Sequence, residues 1–178
     1  MKKALILTLI TIVSIVIIYA LVHYIPVQGF LFAWTLNFML MACVLTFTEI
    51  LKSQLMSPYF NEKAWERRGK IYESAGINIY RKLLVGIGWE RLNKKSKPVE
   101  KNTAALINLY YRTKQDELGH LLILIIVFGF NIYVAYQFGV LKSTWLFVLN
   151  ILLNLYPVLL QRYNRPRIER AINLSKRR

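Results

Sequence analysis

Four stretches of the chain run apolar for long enough to matter. They are "ALILTLITIVSIVIIYALVHYIP" (Ala4–Pro26), "GFLFAWTLNFMLMACVLTFTEIL" (Gly29–Leu51), "HLLILIIVFGFNIYVAYQFGV" (His120–Val140) and "STWLFVLNILLNLYPVLL" (Ser143–Leu160). No Lys, Arg, Asp or Glu stands between Lys3 and Glu49, between Glu117 and Lys142, or between Lys142 and Arg162. About 20 apolar residues suffice for a helix to cross the hydrocarbon core. The pattern therefore predicts an all-α integral membrane protein with four transmembrane helices, arranged as two hairpins in a single membrane domain. The outer turns fall near Pro26–Gly29 and Val140–Ser143, and the spans cover about 4–26, 29–51, 120–140 and 143–160.

Between the hairpins, residues 52–118 form a long polar loop. Trp65, Arg68, Tyr72 and Ala75 recur at helical spacing, and Gly76 fits the end of that helix. "INIYRKLLVGIGW" is too short to span and reads as an amphipathic or re-entrant segment at the inner surface. "NKKSKPVEKN" reads as an exposed turn, and a further helix is expected from near Thr103 into the third span. The chain shows no internal repeat and no low-complexity tract.

Charge fixes the expected orientation. The net charge is +15, and of 24 Lys and Arg only Lys142 falls in a short connection. The positive-inside rule places both termini, the basic loop and the basic tail (161–178) in the cytoplasm. The same asymmetry accounts for the basic excess, so nucleic acid is not expected as a partner; anionic headgroups or an acidic substrate or carrier are. The N-terminus resembles a signal peptide, but its long apolar run without an A-x-A site favours a retained anchor. The lone Cys43 lies mid-helix and reads as a small buried hydrophobe.

Candidate chemistry gathers at the inner boundary. Glu117 and His120 in "DELGH" share a helix face, and a carboxylate beside an imidazole orients it as a base. The blander reading is a helix-start carboxylate and an interfacial histidine. If spans three and four reverse about 140–141, His120 faces the level of Gln161, Glu117 that of Asn164, and Asn131 that of Asn150. Asn150, Asn154, Pro157 and Gln161 fall within roughly 60° of one helix face. Amides there bind substrate or simply join helices. In "QRYNRPR", Arg162, Arg165 and Arg167 are snorkelling anchors or forks for carboxylate and phosphate, with Tyr163 and Asn164 suited to sugar hydroxyls. The inferred site is a polar mouth at the inner leaflet lined by these residues. A metal is not expected: His23 and His120 are predicted on opposite faces, and His120 with Asp116 and Glu117 is a poor ligand set.

"NLYPVLLQRYNRPR", "ELGH" and "WERRGKIYESAGINIYRK" together resemble the glycosyl-4,4'-diaponeurosporenoate acyltransferase family of staphyloxanthin-type carotenoid synthesis, from about Trp65 to the C-terminus. The resemblance implies transfer of a fatty acyl chain onto the sugar of a glycosylated carotenoid in the cell membrane. No cofactor is implied; acyl-CoA or acyl-carrier protein is the donor. His120, oriented by Glu117, deprotonates the sugar hydroxyl, and Asn154, Gln161 or an arginine stabilises the oxyanion. No Ser or Cys stands in a nucleophile setting, which favours direct transfer. Competing readings are an inner-leaflet methyltransferase and a non-enzymatic membrane module. Four-span exporters need an acid in the first span, and none is there.

Overall fold

The computed structural model describes residues 2–51, 53–88 and 102–177. Among these residues every regular element is helical. In chain order they are α1 (Lys2–Tyr24), α2 (Phe30–Leu51), α3 (Ile71–Ser74), α4 (Ile77–Gly86), α5 (Thr103–Phe138), α6 (Thr144–Asn150) and α7 (Tyr156–Ser175), with short 3-10 turns between some of them. A π-turn, Ile151–Leu155, joins α6 to α7. Among the described residues four helices are long and apolar enough to cross a membrane: Lys2–Tyr24, Phe30–Leu51, Thr103–Phe138 and Val140–Ser175. The chain folds into two compact units, the first of Met1–Gln54 with Leu118–Pro157 and the second of Leu55–Glu117 with Val158–Arg178.

The first unit is built on helical spacing. In α2, Phe32, Ala33, Leu36 and Leu40 turn one face inward, where they meet Ile123, Val127 and Val134 of α5 and Leu146 and Leu149 of α6. α1 is apolar all round and buries no residue, as suits a helix that faces lipid. Its Lys3 Nζ donates to the Leu51 carbonyl at 2.6 Å, so the start of α1 lies beside the end of α2.

The register of α5 against the fourth apolar helix differs from the expected one. Asn131 Nδ2 donates to the Ser143 carbonyl at 2.9 Å, and Asn150 Nδ2 donates to the Leu124 carbonyl at 3.0 Å. Asn131 and Asn150 therefore do not meet at one level. The cause is an early reversal. α5 stops at Phe138, Gly139 takes φ 93°, and a 3-10 turn over Val140–Ser143 leads straight into α6. Few residues other than glycine adopt that φ.

The second unit corrects the helix expected over 65–75. Ala64–Gly69 is a 3-10 turn in which Arg67 (φ 49°), Arg68 (φ 56°) and Gly69 (φ 81°) are all left-handed. Local pairing explains the break. Glu62 Oε1 accepts from the Arg68 N–H at 2.6 Å, and Glu66 is drawn inward and buried. Gly76 then takes φ 82° before α4, which agrees with the expected stop. α4 buries Ile77 and Tyr80 and exposes Ile79 and Leu83 beside Arg81 and Lys82, so it is amphipathic as expected. Most of "NKKSKPVEKN", together with Trp89, lies outside the described residues.

The left-handed run gives a paired prediction. A Cβ on Gly69 would stand 3.0 Å from the Tyr163 carbonyl, in a backbone conformation already costly for L-residues. Gly69→Ala is expected to lose about 1–3 kcal/mol. Arg68→Gly removes the side-chain penalty at φ 56° and is expected to raise stability by about 1 kcal/mol. Thermal melts of the two purified variants should move in opposite directions.

Candidate functional site

Two polar clusters stand out, one in each unit. In the first unit a chain of amides crosses three helices. Asn37 of α2 donates Nδ2 to the Ala33 carbonyl at 2.8 Å and offers its Oδ1 to Asn154 Nδ2 at 2.7 Å. Asn154 Nδ2 also donates to Asn150 Oδ1 at 2.8 Å. The Asn154 Oδ1 lies 3.5 Å from His120 Nδ1. Asn37, Asn150 and Asn154 are buried, and His120 is half-buried. Asn154 sits in the π-turn, where the Tyr156 N–H reaches back to the Ile151 carbonyl. Pro157 follows directly. Its ring clashes with the carbonyl four residues back and it has no N–H to continue the ladder, which favours the looser turn there.

In the second unit two carboxylates and two arginines neutralise each other out of water. Arg162 donates Nε to Glu117 Oε1 at 2.8 Å, Nη1 to Glu66 Oε1 at 2.6 Å and Nη2 to the Tyr59 carbonyl at 2.8 Å. Arg165 Nη2 donates to Glu117 Oε2, Nη1 to the Phe60 carbonyl at 2.9 Å, and Nε to Thr113 Oγ1 at 3.2 Å. Glu117 is 0% exposed and Arg165 4%. Aromatic faces complete the arrangement, with the Arg162 guanidinium 4.6 Å from the Tyr59 ring centre and that of Arg165 5.7 Å from the Phe60 ring centre. A small cleft opens between Phe60, Glu62, Glu66, Tyr110, Pro166 and Glu169 beside the two arginines.

Titration of the Glu66–Tyr72 pair follows from these contacts. Burial by itself would raise the Glu66 pKa, but hydrogen bonds from the Tyr72 hydroxyl (2.6 Å), the Lys63 N–H (2.8 Å) and Arg162 outweigh it and hold the carboxyl below its usual value. The Tyr72 phenol is pushed far up by burial and then by its bond to the Glu66 carboxylate. A depressed folded-state pKa stabilises the fold above the ordinary carboxylate range. That contribution disappears as pH falls through the depressed value. Tryptophan fluorescence of the purified protein should therefore show destabilisation below about pH 4. Glu66→Gln should be weaker at neutral pH and lose less on acidification.

The residues singled out in the sequence are thus divided. His120 and Asn154 belong to the first unit; Glu117, Gln161, Arg162, Tyr163, Asn164, Arg165 and Arg167 belong to the second. Both Glu117 oxygens accept from arginines, and Asn154 Oδ1 lies against His120 Nδ1. Asn154 directs its amide nitrogen to two other asparagines. Tyr163 is buried, Gln161 and Asn164 are half-buried, and Arg167 is exposed, stacked 3.6 Å from the Tyr163 ring centre and 3.2 Å from Glu73 Oε1. Sequence reasoning missed Asn37, Glu66, Tyr72 and Thr113. Asn37 was detectable as an amide in an apolar span; nothing local marks Glu66 for burial. Among the described residues no cluster of three or more His, Cys, Asp or Glu side chains is placed to hold a metal ion.

A profile described as glycosyl-4,4'-diaponeurosporenoate acyltransferase matches residues 56–174. The chain belongs to the glycosyl-4,4'-diaponeurosporenoate acyltransferase family. The match covers the second unit's loop, α5 and nearly all of the fourth apolar helix. It includes His120, Asn154 and the whole carboxylate–arginine cluster, while α1 and α2, with Asn37, lie before it. The family takes its name from an acyl transfer in carotenoid glycolipid synthesis, and the four apolar helices fit a multi-pass membrane protein. No curated protein and no solved structure matches the chain.

Proposed function

We propose that this protein transfers a fatty acyl chain from an activated thioester onto a sugar hydroxyl of a glycosylated carotenoid or related glycolipid, at the inner leaflet of the cell membrane. The observation that carries the reading is the family match over residues 56–174. Supporting it are four apolar helices of spanning length and a half-buried imidazole within a largely apolar unit. The distribution of Lys and Arg favours cytoplasmic termini and a cytoplasmic 52–118 loop, with two helical hairpins across the bilayer. α4 then lies along the headgroups, its Ile79 and Leu83 toward the acyl region and its Arg81 and Lys82 toward lipid phosphate.

In the proposed reaction His120 accepts the proton of a sugar hydroxyl while that oxygen attacks the thioester carbonyl. The C–O bond forms, the tetrahedral intermediate collapses, and the C–S bond breaks. The proton then passes from the imidazolium to the leaving thiolate, so charge and atoms balance. This is direct transfer without an acyl-enzyme. Exposed cations of the second unit, Arg67, Arg68, Arg81, Lys82 and Arg167, suit an anionic donor such as acyl-CoA or acyl-carrier protein. Glu117, Arg162 and Arg165 serve the reaction by holding the second unit together.

Mass profiling of pigments and lipids from cells with and without the gene tests the assignment. The expected result is an acylated glycoside that disappears with the gene, with its unacylated precursor accumulating. An unchanged glycoside profile would overturn it.

A further inference from the structure

We infer that Asn37, Asn150 and Asn154 form an amide relay that fixes His120 as the tautomer protonated on Nδ1, leaving Nε2 as the basic nitrogen. The inference rests on His120 being the proposed base, and it adds which ring nitrogen reacts and what selects it.

An asparagine side chain has one donor end and one acceptor end. The donor end of Asn37 is fixed by the Ala33 carbonyl, and that of Asn150 by the Leu124 carbonyl. Turning either amide over would set oxygen against oxygen in a buried site, at the cost of an unsatisfied polar pair. Both residues must therefore offer Oδ1 to Asn154. Asn154 has two N–H bonds, and both are taken, at 2.7 Å and 2.8 Å. Its own Oδ1 is then directed at His120 Nδ1, and an oxygen that only accepts requires the ring nitrogen to carry hydrogen. In a neutral imidazole the other nitrogen holds the lone pair. Two backbone carbonyls on different helices thus dictate a protonation state three side chains away. The contact at 3.5 Å is long, as such contacts are before substrate tightens a site.

Asn37, Asn150 and Asn154 are positioning residues in this account. Glu117 is not required for it, because its two oxygens are held by Arg162 and Arg165.

The test reads the tautomer directly. His23 and His120 are the two histidines of the chain, so His23→Gln with 15N-histidine leaves one imidazole to observe by NMR in nanodiscs, above the histidine titration range. The expected spectrum is predominantly the Nδ1–H form. Asn154→Leu should shift the ring toward the Nε2–H form, which dominates in free imidazole side chains. Asn37→Leu should shift it part of the way, by releasing the Asn154 amide to turn. A wild-type spectrum dominated by Nε2–H would overturn the relay, as would Asn154→Leu with an unchanged spectrum. The His23→Gln protein with an intact relay suffices for the first of these, whether or not a relay variant folds. If His120→Ala acylates normally while the wild-type ring is Nδ1–H, the proposed chemistry fails and the relay stands.

Discussion

Glu117→Ala is expected to cost the second unit about 3–5 kcal/mol, enough to unfold a domain of ordinary stability. The reason is the state in which it leaves its partners. Glu117 is fully buried, and it takes one hydrogen bond from each of Arg162 and Arg165. Those guanidiniums are themselves little exposed, at 10% and 5% of the side chain. Removing the carboxylate strands positive charge out of water, with one carboxylate, Glu66, and the neutral Thr113 hydroxyl and backbone carbonyls left to receive it. Solvation lost on folding is then no longer returned by attraction. Glu117→Gln should be nearly as damaging, because it keeps the shape but not the charge. A combined Glu117→Leu, Arg165→Met variant should recover part of the loss, since it removes a charge of each sign together. Thermal melts of detergent-purified protein and the rate of proteolytic cutting in the 55–88 region give the readout. A Glu117→Ala protein that melts with the parent would mean the cluster is not closed as described.

The second large effect belongs to catalysis. His120→Ala should lower acyl transfer by about 10²–10⁴-fold, the usual worth of a positioned general base. The fold should tolerate the change far better than it tolerates loss of Glu117. His120 is half-buried, and its bond to Asn154 is long, so its removal takes little from the core. The expected pair of results is a melting temperature close to the parent's and product nearly absent by mass spectrometry. Undiminished transfer would remove His120 from the reaction. His120→Ala and Glu117→Ala are therefore expected to separate: one silent in stability and severe in activity, the other severe in both.

That separation bears on how E-x-x-H reads in a sequence. Three residues apart on a helix, a carboxylate and an imidazole invite assignment as one acid–base pair. Here Glu117 goes to Arg162 and Arg165, and the ring meets an amide from the π-turn. Spacing along the helix pointed neither to the arginines that hold Glu117 nor to the amide beside the ring. The Asn154 contact follows an early chain reversal at Gly139 and a turn loosened ahead of Pro157.

Hydropathy and charge order along the chain were enough to give four apolar helices and a basic polar loop between the second and third; local residue choice gave the helix running from Thr103 and the stop at Gly76, and the short motifs carried the resemblance to the family. These are properties of segments: transfer of apolar side chains out of water sums residue by residue, and a short motif carries its meaning wherever it folds. Tertiary structure alone decided the break at Arg67–Gly69, the burial of Glu66, the closed carboxylate–arginine cluster and the line of amides behind His120. Each of those depends on which donor reaches which acceptor once water is gone, and that is set by helix register and turn placement, shifting with a single residue.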